Sequence, residues 1–134
     1  MNLSSIVKIM LVDDNIIDRL VHRRLLEIHK IGQTIDEYSS GEEAINFLTE
    51  NRQNGKLLPD LILLDIMMPG MDGFDFMVHF SKLKDQFEKP PLVFMLSSTN
   101  DESDIRKVRN NSDVIKMLNK PFSPESLANS ISKL

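Results

Sequence analysis

The chain has 134 residues, 41% of them apolar and 27% charged, with a formal net charge of −4 and no cysteine. That length suits one domain whose core needs no staple, and the lack of thiols excludes disulfides and thiolate metal sites. The acidic balance excludes a dominant phosphate-backbone binding face, which needs clustered Lys and Arg; Arg23-Arg24 reads as the solvated side of a helix. The N-terminal apolar run carries Lys8 and runs into two aspartates, unlike a signal peptide, and Leu61 to Met68 is interrupted by Asp65 and too short to cross a bilayer. A soluble, cytoplasmic protein without a membrane or direct nucleic-acid partner is expected.

In chain order, Val7-Lys8-Ile9-Met10-Leu11-Val12 is strand-like and stops at Asp13 and Asp14. Ile17, Leu20, Val21, Leu25 and Ile28 recur at helical spacing and predict one apolar helix face. Thr34 to Tyr38 is the weakest strand pattern, yet an extended segment is needed between the first two helices. Ser40-Gly41-Glu42-Glu43 reads as a capping box, Ser40 capping and Glu43 reaching back, and Ala44, Phe47 and Leu48 form the buried stripe that follows. Leu61-Ile62-Leu63-Leu64 stops at Asp65, and a third helix opens near Gly73 with Phe74, Met77 and Val78 inward. Leu92-Val93-Phe94-Met95-Leu96 stops at Ser97; the next helix has only Ile105 and Val108 at apolar spacing. Val114-Ile115-Lys116-Met117-Leu118-Asn119 stops at Lys120, and Ser123-Pro124 opens a last helix that buries Leu127, Ile131 and Leu134. Glu50 to Lys56 and Lys84 to Lys89 are polar connections. Strand and helix alternate five times, which predicts a parallel sheet with helices on both faces.

The polar residues at the strand ends carry the chemistry, because ligands in open parallel sheets collect beyond the carboxyl ends of the strands. Two adjacent carboxylates, Asp13 and Asp14, repel unless a cation neutralises them, and Mg2+ takes hard oxygen ligands of this kind. Alone, the pair reads first as the opening turn of a helix, where the dipole favours acids. Asp65 has the type and place of a nucleophile that attacks phosphorus, or of a turn residue before Met67-Met68-Pro69-Gly70. The Ser97 hydroxyl and the Lys120 ammonium would serve a phosphoryl group of charge about −2; singly they read as a loop serine and a solvated lysine. Lys120-Pro121 is a candidate cis peptide. His22, His29 and His79 lack metal-ligand spacing and are expected at the surface or half-buried. Met67, Met68 and Met71 are expected to pack around the site, with Gly70 and Gly73 serving turn geometry.

Four segments together, Ile9-Met10-Leu11-Val12-Asp13-Asp14-Asn15, Leu64-Asp65-Ile66-Met67-Met68-Pro69-Gly70-Met71-Asp72-Gly73, Leu96-Ser97-Ser98 and Lys120-Pro121-Phe122, resemble a response-regulator receiver domain of two-component signalling over nearly the whole chain. The resemblance implies a flavodoxin-like (βα)5 three-layer sandwich with strand order 2-1-3-4-5. It implies that Asp65 accepts a phosphoryl group from a histidine kinase or a His-containing phosphotransfer protein. Asp14 would ligate Mg2+ directly and Asp13 through water, Asp65 would be ligand and nucleophile, and Met67 would offer its backbone carbonyl. Ser97 and Lys120 would contact the phosphoryl group, so catalysis is mostly positioning and charge neutralisation.

Two departures qualify the match. The aromatic residue that the family commonly has three positions before the lysine is Met117 here, and Gly55 to Asp60 belongs to a longer connection before the third strand. No output domain is expected within residues 1–134, so the expected protein is a stand-alone receiver, a monomer or weak dimer that catalyses only its own phosphorylation and dephosphorylation. It would signal through a protein contact or a phosphorelay. The alternative is a pseudo-receiver that binds partners without phosphorylation. A phosphohydrolase of the haloacid dehalogenase type would need an Asp-x-Asp motif on its first strand, and Asp65-Ile66-Met67 lacks the second acid. A flavodoxin would place phosphate donors where the first strand here ends in acids.

Overall fold

In the computed structural model, which describes residues 1–134, the apolar runs form five parallel strands. They are β1 (Lys8–Val12), β2 (Thr34–Tyr38), β3 (Leu61–Asp65), β4 (Leu92–Ser97) and β5 (Lys116–Asn119). The helices are α1 (Ile16–Ile28), α2 (Gly41–Glu50), α3 (Gly73–Leu83), α4 (Glu102–Arg109) and α5 (Pro124–Ser132), with short 3-10 turns at Leu3–Ser5 and Lys84–Gln86. The strand order is β2-β1-β3-β4-β5, the flavodoxin-like order expected. The register pairs Val12 with Leu64 and Asp65 with Leu96, so the ends of β1, β3 and β4 lie side by side.

Alternation along the central strands builds two cores. Met10, Val12, Ile62, Leu64, Val93 and Met95 pack with α2 and α3, whereas Ile9, Leu11, Leu61, Leu63, Phe94 and Leu96 pack with Leu26 of α1 and Leu127 and Ile131 of α5. Burial on both faces explains why β1, β3 and β4 read as continuous apolar runs. β2 is an edge strand with no fully buried residue, which is why its pattern is faint.

Several helix faces differ from the expectation. α1 buries His22 and Leu26, while Ile17 is 62% and Ile28 64% exposed, with Leu20 and Val21 also exposed. The helix carries apolar residues on more than one side, and the sheet takes the side holding Leu26. In α3 the buried residues are Gly73, Phe76, Met77 and Phe80; Val78 faces solvent and Phe74 is half-buried. Leu134 lies beyond the end of α5 and is exposed. Ser40 does cap α2, accepting from the Glu43 N–H at 3.2 Å, but the Glu43 carboxylate takes the Ser39 hydroxyl instead of reaching back. The reciprocal box is at α3, where Asp72 and Asp75 each accept from the other's backbone N–H. Aspartate is short enough to close such a box, so a Glu/Gln pattern misses it.

Candidate functional site

The site forms where β1, β3 and β4 stop. After Val12 the chain turns at once: Asp13 Oδ1 accepts from the Asn15 N–H at 2.9 Å, and Asn15 Oδ1 caps α1 by accepting from Ile17 and Asp18. Arg19 donates to the Asp13 carbonyl at 2.6 Å and pairs with Glu37 at 3.1 Å, tying the turn to β2. Asp13 is thereby buried, while Asp14 stands in solvent.

Asp65 is the last residue of β3 and is also buried. The Met67 N–H donates to its Oδ1 at 3.3 Å, and the Gly73 N–H returns to the Ile66 carbonyl at 2.8 Å. Gly73 is here for close approach more than for turn geometry. A Cβ on it would lie 2.7 Å from the Asp65 carbonyl oxygen and 2.9 Å from the Ile66 Cα. Gly70, at φ +74°, is the glycine that the turn itself requires. Met68 is buried and Met71 partly so, but Met67 is 67% exposed, so it does not pack around the site as expected.

Lys120 reaches in from the end of β5, its backbone N–H donating to the Ser97 carbonyl at 2.9 Å and its peptide bond to Pro121 cis. The ammonium lies 2.8 Å from Asp13 Oδ2, 3.2 Å from Asp65 Oδ1 and 2.9 Å from Asp18 Oδ2. Asp13, Asp14 and Asp65 bring one oxygen each within 4.8 Å of one another. Although the ammonium is near, Asp13 Oδ2 accepts no aligned hydrogen bond and is shut off from solvent. Burial and the neighbouring Asp13 charge, only partly offset by Lys120, push the Asp65 carboxyl up to about 6. Burial disfavours the charge on Lys120, but the adjacent Asp13 carboxylate, the hydrogen bond to Asp18 and the Asp65 charge outweigh it and hold the ammonium well above its usual range.

Ser97 is buried at the end of β4, yet its hydroxyl is spent locally: it donates to the Thr99 carbonyl at 2.8 Å and accepts from the Thr99 N–H at 3.1 Å. The fold thus gathers Asp13, Asp14, Asp65 and Lys120 around one point and sets Ser97 beside them in a closed turn. His22, expected at the surface or half-buried, is fully buried beside Phe122 with ring centroids 5.2 Å apart, and burial lowers its pKa. Asp18 was not foreseen as a site residue. Its only local signal is an acid in the first turn of a helix, which the dipole already explains.

The profile of the response regulator receiver domain matches residues 9–132. The chain is 33% identical over 119 residues to the sensor histidine kinase CheAY of Helicobacter pylori, covering 89% of this chain but 14% of that protein. Among solved structures it is similar to a response regulator receiver protein from Dyadobacter fermentans (30% identity, TM-score 0.83, 95% of this chain and 96% of that one). It is also similar to a two-component response regulator from Cytophaga hutchinsonii (27% identity, TM-score 0.85, 96% of each chain). The chain belongs to the response regulator receiver domain family. No helix is long and apolar enough to cross a membrane.

Proposed function

We propose that this chain is a stand-alone response regulator, residues 1–134 forming its receiver domain, and that Asp65 accepts a phosphoryl group in a Mg2+-dependent reaction. The observation that carries the reading is the convergence of three carboxylates and the Lys120 ammonium at the sheet edge. A receiver protein of nearly the same span, the Dyadobacter one, supports the stand-alone form.

The residues fit a divalent cation. The donors are hard oxygens, and buried Asp13 Oδ2 accepts no aligned hydrogen bond. Asp13, Asp14, Asp65 and the Met67 carbonyl would hold Mg2+, which would supply positive charge to offset that of the carboxylates and the incoming phosphoryl group. Asp65 attacks the phosphorus of a phosphohistidine: an O–P bond forms as the N–P bond breaks, and the electron pair returns to the imidazole nitrogen. Lys120 offsets charge on the transferred group. Ser97 leaves its turn with Thr99 and donates its hydroxyl to a phosphoryl oxygen. These roles are mostly positioning and electrostatics.

The phosphodonor is a histidine kinase or a His-containing phosphotransfer protein, which places the chain in the cytoplasm. Its docking place is the exposed apolar side of α1, where Ile16, Ile17, Leu20 and Val21 adjoin Asp14 and the Asn15 cap. Output leaves from the opposite side, through α4 and β5, to a protein target or along a phosphorelay. The test is intact mass after incubation with acetyl phosphate and Mg2+. One phosphate should appear on the unaltered chain and none on Asp65→Asn or after metal chelation. An adduct surviving Asp65→Asn at full yield overturns the assignment.

A further inference from the structure

The Lys120 ammonium has three carboxylate neighbours, and two of them change during the proposed reaction. Asp65 becomes an acyl phosphate, and Asp13 turns its charge toward a cation. The third, Asp18, is untouched by either event. It is held by α1 itself: its N–H donates to the Asn15 cap at 3.0 Å, and its Oδ2 accepts from Lys120 at 2.9 Å. Lys120 has a four-carbon stem and a rotatable ammonium, so two changing partners alone do not hold its head in one place. Resting on the phosphoacceptor reading above, we infer that Asp18 is a positioning residue that anchors the Lys120 ammonium over Asp65 through the phosphorylation cycle.

The site around this pair is built for such a hold. Asp18 and Lys120 line a cavity of about 310 Å³ together with Val21, His22, Ser98 and Pro121. Lys120 is well covered, with 11% of its side chain exposed, while Asp18 retains 38%. Asp18 therefore meets water on its outer side and gives one oxygen inward. The anchor joins the first turn of α1 to the end of β5 across the mouth of the site, 102 residues apart in sequence.

Three measurements decide it. In 15N,13C-labelled, metal-free protein, the Lys120 ammonium should give a protected NMR signal with a coupling to the Asp18 carboxylate carbon, lost in Asp18→Asn. Phosphorylation by acetyl phosphate at saturating Mg2+ should slow by about tenfold in Asp18→Asn, the order set by one charge-assisted hydrogen bond, with Mg2+ affinity unchanged. In a Lys120→Met background, adding Asp18→Asn should change neither the rate nor the affinity for beryllofluoride, because the residue acts only through the lysine. An unchanged rate in the single variant overturns the anchor and leaves Asp65 phosphorylation standing. A faster rate overturns it too, and makes Asp18 a competitor for the lysine. Loss of Mg2+ affinity in step with rate, or a full Asp18→Asn effect without Lys120, would assign its effect to the acidic cluster or to α1. Failure of the unaltered chain to take phosphate would overturn both readings.

Discussion

The two helices that face each other across the site's mouth are held to very different degrees. α3 begins with a reciprocal cap, presses Gly73 onto the Asp65 backbone and buries Phe76, Met77 and Phe80. α4 is eight residues long, buries only Val108, and touches α3 through Lys107, whose ammonium lies 5.1 Å from the Phe74 ring centre. Between them lies an open cavity of about 880 Å³, floored by the β3–α3 loop and walled by Thr99, Asp101 and Asp104. The difference is instructive because Asp65 sits on the firm side while Ser97 starts the connection to the loose one. Segments with few buried apolar contacts open at low free energy, so a change at Ser97 moves α4 before it moves α3.

The largest way to break this contrast is at Gly73. Gly73→Val forces its side chain into the Asp65 carbonyl and the Ile66 Cα, and overpacking of this kind costs about 3 kcal/mol or more. Urea unfolding should show that loss, together with failure of phosphorylation, since the strain falls on the backbone of Asp65, the proposed phosphoacceptor.

The second test is electrostatic. Asp65 has its pKa raised from 3.8 to about 6, first by burial and then by Asp13. A raised acid pKa means that the folded state binds the proton more tightly than the unfolded chain. The stabilisation is therefore complete below about pH 4 and gone above about pH 6, a span worth about 3 kcal/mol. Asp65→Asn should thus raise metal-free stability by up to that amount at pH 8 and show no gain at pH 4. Denaturant midpoints against pH check this, and an equal effect at both pH values would mean that the charge is not what destabilises the resting site.

Val108→Ala gives the smallest effect. Trimming this single buried residue of α4 should cost about 1–2 kcal/mol in global stability, less than the Gly73 change. Hydrogen exchange should place the loss within α4, Glu102 to Arg109, leaving the amides of α3 protected. Equal loosening of α3 would erase the distinction between the two helices.

Much of this was legible in the chain, for reasons that differ by element. The central strands are buried on both faces and so read as unbroken apolar runs ending in Asp13, Asp65 and Ser97; the site's core followed from those endings. Helix faces were harder, since Ile17, Leu20, Val21 and Ile28 of α1 have the same period as a buried stripe, and only the sheet decides which side of an apolar helix it covers. His22 went unrecognised as a core residue because burial of a polar ring depends on Phe122, exactly one hundred residues later in a different element. Asp18 was hidden for the same reason: its meaning lies in Lys120, and no local pattern connects them. The exposed Met67 and the closed Ser97–Thr99 turn likewise depend on how the loops fold over the strand ends.

Met117, half-buried beside α4 where the family commonly places an aromatic residue, sharpens the contrast further. An unbranched side chain with three rotatable bonds fills gaps in many conformations, so α4 should shift by degrees instead of between two ring positions. The most direct measurement is the amide NMR spectrum with and without beryllofluoride and Mg2+, a mimic of the phosphoryl group. Shifts should run from Asp65 through Ser97 to Asp101–Asn110 and Lys116–Lys120, while Phe76 to Phe80 in α3 stay in place. Changes confined to the Asp65 loop, or equal in α3 and α4, would contradict the account.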